Sequence, residues 1–186
     1  MKAKEYEGAM GRVVINDIQV NIRHLEKRIE EMQKKGMEII MEDPELTGKF
    51  VLLCTIVGIG VLSALYLLAE LLILPPDMKA PQWVAFAGLD PREYQSGTSV
   101  KRPKRISKRG NKFLRSALYM PVMTASNKDP HIRAFYRKLV DERGKKPILA
   151  QVAVMRKLLH AIWGMFKNNE PFDGAKFHPL PVEAAA

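Results

Sequence analysis

The stretch YQSGTSVKRPKRISKRGN, Tyr94 to Asn111, sets Ser96 and Ser99 directly before a run of lysines and arginines. Hydroxyls beside clustered cations suit contact with phosphate, which accepts from both. Two readings stand at this point: a hydroxyl delivered to a phosphate backbone, or polar residues in a solvated loop. Charge density favours phosphate contact. Residues 92–115 hold nine basic side chains (Arg92, Lys101, Arg102, Lys104, Arg105, Lys108, Arg109, Lys112 and Arg115) against Glu93 alone, a net of +8 out of the chain's +10. Elsewhere the charges nearly balance, so the excess is a patch and an acidic partner is expected.

The remaining reactive side chains argue against other chemistries. Cys54 is the only cysteine of the 186 residues and lies in an apolar segment, which excludes a disulfide framework and reads as a small buried hydrophobe. The four histidines have no ligand spacing, so no structural metal is expected within the chain. The first fifteen residues mix Lys, Glu and Arg, unlike a secretory leader, and a cytoplasmic setting is expected.

The elements that must position the patch read as helices. Val14, Ile18, Ile22, Leu25, Ile29 and Met32 recur at steps of four and three, with charges between them. They predict a long amphipathic helix over 1–43 that either packs on its own domain or pairs with another chain. Asp43-Pro44-Glu45 reads as a fresh helix start. KAPQWVAFAGL predicts a short helix opened by Pro81 and closed at Gly88, with Trp83 in the core. Residues 89–110 hold Pro91, Gly97, Pro103 and Gly110 and predict a loop or short hairpin. Helices follow over 111–167, with Pro121 expected to kink the first and Asp129 to cap the second. Proline and glycine in 169–186 predict a flexible tail. The fold class is all-α, mainly helical, with a basic loop or short hairpin.

FVLLCTIVGIGVLSALYLLAELLIL supports two structures. It is uncharged from Phe50 to Ala69, long enough for a membrane span over 50–74. Alternatively Gly58 and Gly60 mark the turn of a helix-hairpin-helix over 44–74, where converging backbone N–H groups meet a phosphate. The central glycines favour the hairpin.

VAFAGLDPREYQSGTSVKRPKRISKRGNKFLRSALYM, together with TIVGIGVLSALYLLAEL before it and DPHIRAFYRKLVDERGKKPILAQVAVMRKLLHAIW after it, resembles the C-terminal domain of the insertion sequence 110 (116/902-type) transposase family over roughly Thr47 to Phe166. The order Gly-Ile-Gly, Ala-Gly-Leu-Asp-Pro-Arg, Ser-Gly and Ser-Lys-Arg-Gly-Asn is specific, although each motif alone is weak. The resemblance implies a recombinase that cuts and rejoins DNA with a bridging RNA. It also implies an N-terminal RNase-H-like (RuvC-like) domain with metal-binding acidic residues, and a serine supplied by the C-terminal domain. By motif match that serine is Ser96 in Gln95-Ser96-Gly97. Arg92, Arg105 and Arg109 are then the candidates for holding charge in the transition state, and Lys101, Arg102, Lys104 and Lys108 for the flanking backbone. Ser99 and Ser107 are weaker nucleophile candidates.

The resemblance further implies that the segment carrying the acidic tetrad is missing, so the chain is expected to be a truncated transposase that binds nucleic acid and is inactive alone. No cofactor is expected within it, and Mg2+ only with a complementing acidic domain. Expected partners are DNA, a bridging RNA, and a second copy or a full-length transposase through residues 14–32. The alternatives are a non-catalytic nucleic-acid-binding module that interferes with intact transposase and, ranked lower, a membrane-anchored helical protein.

Overall fold

The computed structural model describes the backbone of residues 2–92, 95–96, 100–101 and 105–180, and the side chains of residues 11–91 and 106–180. It forms two compact units, residues 1–43 and 44–186. The division falls at Asp43-Pro44, where the sequence predicts a new helix.

The first unit is one helix, α1 (Lys2–Glu42). Its stripe of Val14, Ile18, Ile22, Leu25, Ile29 and Met32 is exposed along its whole length.

The second unit is a helical core of α2 (Pro44–Cys54), α3 (Val61–Leu72), α4 (Ala80–Phe86), α5 (Lys112–Lys128), α6 (Pro130–Arg137) and α7 (Pro147–Asn168), with a short α8 (Gly174–Phe177). α7 runs through the middle and packs on α2, α4, α5 and α6. Its Ala150, Val154, Leu158, Leu159 and Ile162 are fully enclosed, as are Leu114, Leu118 and Val122 of α5. Burying this many aliphatic side chains, at roughly 25 cal/mol per Å² of apolar surface, is the main term holding the helices together. Trp83 lies in the core with its ring edge-on to Phe166 at 6.1 Å.

Local chemistry explains where helices start and stop. The Asn111 side chain caps α5, accepting from the backbone N–H groups of Phe113 and Leu114. Asp129, itself buried, caps α6 by accepting from Ile132 N–H at 2.9 Å, and Pro130 occupies the first turn, where no N–H is missed. Beyond Arg137 the chain widens into a π-helical turn, Lys138–Glu142. α5 continues as one helix through Pro121, where the sequence predicts a kink.

The apolar stretch 50–74 is not one span. α2 and α3 have 11 and 12 residues, below the roughly 20 needed to cross a bilayer, and residues 55–60 separate them. The helical hairpin expected from Gly58 and Gly60 is what forms. Pro147–Asn168 is long and apolar enough to cross by length and composition alone, but it is the packed centre of this unit.

Two further expectations change. Cys54 is exposed at the end of α2 rather than buried. Residues 169–180 are held against the unit instead of trailing from it. Phe177 is buried beside Phe135 and Phe172, Phe172 N–H donates to Thr55 Oγ1 at 3.0 Å, and His131 Nδ1 lies 2.7 Å from the His178 carbonyl oxygen. A single buried aromatic, set by Asp173 capping α8, outweighs the local bias of proline and glycine. The rest of the expected tail, 181–186, lies outside the described residues.

Candidate nucleic-acid interface

The basic stretch leaves the core between α4 and α5 as nested antiparallel strand pairs. The outer pair joins β1 (Pro91–Arg92) to β4 (Arg105–Ile106), with Arg92 opposite Arg105. The inner pair joins β2 (Gln95–Ser96) to β3 (Val100–Lys101), with Ser96 opposite Val100 and Gln95 opposite Lys101. The short hairpin foreseen as one option is therefore present, and the backbone of Ser96 belongs to its inner pair. Successive residues of a strand point to opposite faces. The side chains of Ser96, Arg92, Lys101 and Arg105 lie outside the described residues, as do Ser99, Arg102 and Lys104 altogether.

The base of the hairpin is closed by several independent bonds. Leu89 N–H donates to Val84 C=O, Lys108 N–H to Gly88 C=O, Ser107 N–H to Asp90 C=O and Asn111 N–H to Phe86 C=O, at 2.6–3.0 Å. The Ser107 hydroxyl donates to Asp90 Oδ1 at 2.6 Å, so this serine is engaged in holding the two ends together. Gly88 ends α4 with φ +63. Gly110 crosses so close that a Cβ on it would overlap the Phe86 carbonyl oxygen and Gly88 nitrogen. No residue but glycine fits there.

Arg115, expected on phosphate, has another role. Its Nη1 donates to Ala87 C=O at 2.8 Å and Gly110 C=O at 3.1 Å, bridging the two ends of the hairpin from inside. Arginine provides several fixed donors, which suits it to clasp two carbonyls at once. Lys108 and Arg109 are exposed, Lys108 with φ +55, and exposed Lys112 lies 5.0 Å above the Phe113 ring. These three cations face solvent next to the hairpin base.

The glycines of the helical hairpin divide their work differently from the expectation. Gly58 has φ +96, and a Cβ there would lie 2.5 Å from the Pro121 carbonyl oxygen and 3.0 Å from Ala125 N. It therefore lets the turn press against the α5 backbone. Gly60 has open space around it and precedes α3 in extended conformation. Only Gly60 keeps the open surroundings that an approaching phosphate needs.

One polar link was missed by the sequence reading. Asn111 Nδ2 donates to Glu70 Oε2 at 2.5 Å, tying the cap of α5 to α3 across 41 positions. No local spacing signals a contact of that range. Among the described residues no group of three or more His, Cys, Asp or Glu converges, so the side chains present do not fit a catalytic metal pair.

Comparison with known proteins gives this arrangement its family. The pilin gene-inverting proteins of Moraxella bovis and Moraxella lacunata are each 34% identical over 154 residues, which is 82% of this chain and 48% of theirs. The insertion element IS900 uncharacterized 42 kDa protein of Mycobacterium paratuberculosis is 32% identical over 110 residues, 58% of this chain and 25% of its own. The chain spans about half the length of the pilin gene-inverting proteins it matches. The profile described as Transposase IS116/IS110/IS902 family covers residues 51–137, from the end of α2 through the rooted hairpin to α6. Residues 51–137 are thus an IS116/IS110/IS902-family transposase domain.

Proposed function

We propose that the chain is the DNA-engaging, nucleophile-bearing part of a site-specific recombinase. The observation that carries this is the rooted hairpin. A family domain holds the backbone of Ser96 in the inner strand pair of that hairpin, and the surrounding stretch 92–115 contains nine basic residues. In the proposed step the Ser96 Oγ attacks a backbone phosphorus. An O–P bond forms as one ester bond to deoxyribose breaks, the serine proton passes to a base, and the departing sugar oxygen takes up a proton. The seryl-phosphate keeps the energy of the broken bond for rejoining. Arg92, Arg105 and Arg109 hold the growing negative charge, and Lys101, Arg102, Lys104, Lys108 and Lys112 grip flanking phosphates.

Mg2+ enters with a separate acidic domain, a reading supported by the lack of three converging His, Cys, Asp or Glu side chains among the described residues. DNA as substrate implies a cytoplasmic setting, and a bridging RNA would meet the same cations. The exposed stripe of α1 supports pairing with a second copy or with a full-length transposase. In the absence of the acidic domain, that pairing would make the chain an interfering nucleic-acid-binding module.

The test is Ser96→Ala in a reconstituted complex containing metal and acidic domain. Covalent protein–DNA adducts disappear while binding remains. Adducts that persist would end the assignment of Ser96. Adding the chain to full-length transposase lowers recombination if the interfering role holds, and leaves it unchanged if not.

A further inference from the structure

The groove between α3 and α5 does not match the rest of the surface. It is a cavity of about 380 Å³ at the foot of the hairpin, flanked by Tyr66 and Leu62 of α3 and by Phe113 and Met120 of α5. These four side chains are 53%, 44%, 63% and 60% exposed. Neither aromatic ring stacks on another among the described residues. Glu70 lines the same cavity, half-buried and fixed through Oε2 by Asn111. Lys112 holds its ammonium 5.0 Å over one face of the Phe113 ring.

We propose that this groove receives one unpaired nucleobase carrying an exocyclic amine, adenine, cytosine or guanine rather than thymine, from nucleic acid held by the basic hairpin. The inference rests on the nucleic-acid reading above and adds a base-reading subsite to it. Three features select this occupant. Two exposed aromatic rings, Phe113 with one face under Lys112, offer stacking surfaces, and stacking on an aromatic is the usual way proteins hold an unpaired base. The second carboxylate oxygen of Glu70 accepts only, so it pairs with a base amino group, whereas the single donor of thymine, N3–H, is flanked by two carbonyls that the carboxylate repels. The Lys112 ammonium, next in sequence to the Asn111 cap and three residues from Arg109, is placed for the adjoining phosphate, continuing the basic surface. A purely apolar partner helix would bury the Glu70 carboxylate without an extra donor, at a desolvation cost the amine-bearing base avoids.

The experiment uses the full chain and fluorescently labelled DNA hairpins. One hairpin is fully paired; the others carry a single unpaired adenine or thymine. The chain binds the unpaired-adenine hairpin more tightly than the unpaired-thymine one. Phe113→Ala weakens binding to the unpaired-adenine hairpin roughly tenfold while leaving the fully paired one within about twofold. Phe113→Trp restores it, and Glu70→Gln erases the preference for adenine over thymine. Phe113 is exposed, so unchanged thermal melting verifies that its variants fold. Equal losses on all hairpins, or none, overturn the subsite. So does a result in which Phe113→Ala changes only self-association in sedimentation, which would mark a protein contact. A wild-type chain that binds none of the hairpins at low salt instead overturns the nucleic-acid reading itself.

Discussion

Helices α7 and α1 both place apolar residues at steps of three and four, yet Val154, Leu158 and Ile162 of α7 are completely enclosed while Ile18, Ile22 and Ile29 of α1 stand about half exposed. The periodic pattern states only that a face is apolar. What covers that face depends on contacts far along the chain. α7 meets α2, α4, α5 and α6 within its own unit, whereas α1 forms a unit alone. Similar patterns therefore have different energetic meanings. One supplies folding stability, and the other leaves its apolar face exposed.

The largest expected effect is on the covered side. Leu158→Ala removes a fully enclosed side chain and lowers stability by about 2–5 kcal/mol in urea unfolding. A loss under 1 kcal/mol would mean that α7 is not the centre of this unit. Next comes Gly110→Ala, which forces a methyl group into the Phe86 and Gly88 backbone and costs about 1–3 kcal/mol. DNA affinity falls with it because the hairpin base shifts. Asn111→Ala removes the α5 cap and the partner of Glu70, a loss of about 1 kcal/mol by the same measurement.

The docked segment 170–178 is covered less deeply, and pH tests it. Partial burial pushes the His178 pKa below its ordinary 6.5, with Lys157, Lys138 and His131 acting in the same direction and Glu142 opposing. A histidine shifted down favours its neutral form in the fold. The stabilisation is thus complete above pH 6.5 and is lost as pH falls through the lowered value. Hydrogen exchange at Phe172 and Phe177 accelerates in that window, and His178→Gln flattens the response. The smallest effect on stability belongs to α1. Ile22→Ala changes the unfolding of residues 44–186 by less than about 0.5 kcal/mol, whereas Ile22→Glu reduces any self-association seen by sedimentation. A large change in unfolding from Ile22→Ala would show that its stripe is already covered.

Much of this architecture could be read from local signals. Asp43-Pro44, Asp129-Pro130 and Gly88 mark boundaries through capping and left-handed geometry, which are chemical properties of neighbouring residues. Trp83 in the core and the split at Gly58 followed from composition. Long-range partners were not legible. Arg115 looked like one more member of a cationic run until its guanidinium was seen on Ala87 and Gly110 carbonyls. Glu70 and Asn111 gave no sign of meeting, and Tyr66 and Phe113 read as ordinary helix residues. The docking of Phe177 was likewise hidden, since the ring it meets edge-on in the body of the unit, Phe135, comes from α6, far earlier in the chain. Sequence order identified the Ser96 hairpin only as an alternative to a loop, because two-residue strands carry no periodicity of their own.

The crossing of Gly88 and Gly110 brings both ends of the excursion 89–109 to one point on the scaffold. Ring closure becomes only slightly less favourable as such an excursion lengthens, so its interior can be shortened, extended or exchanged without reshaping the helices beneath it. The arm is in effect an interchangeable module on a fixed mount. Grafting a foreign hairpin between those two glycines would alter which polyanion is gripped while the helical body melts at the same temperature.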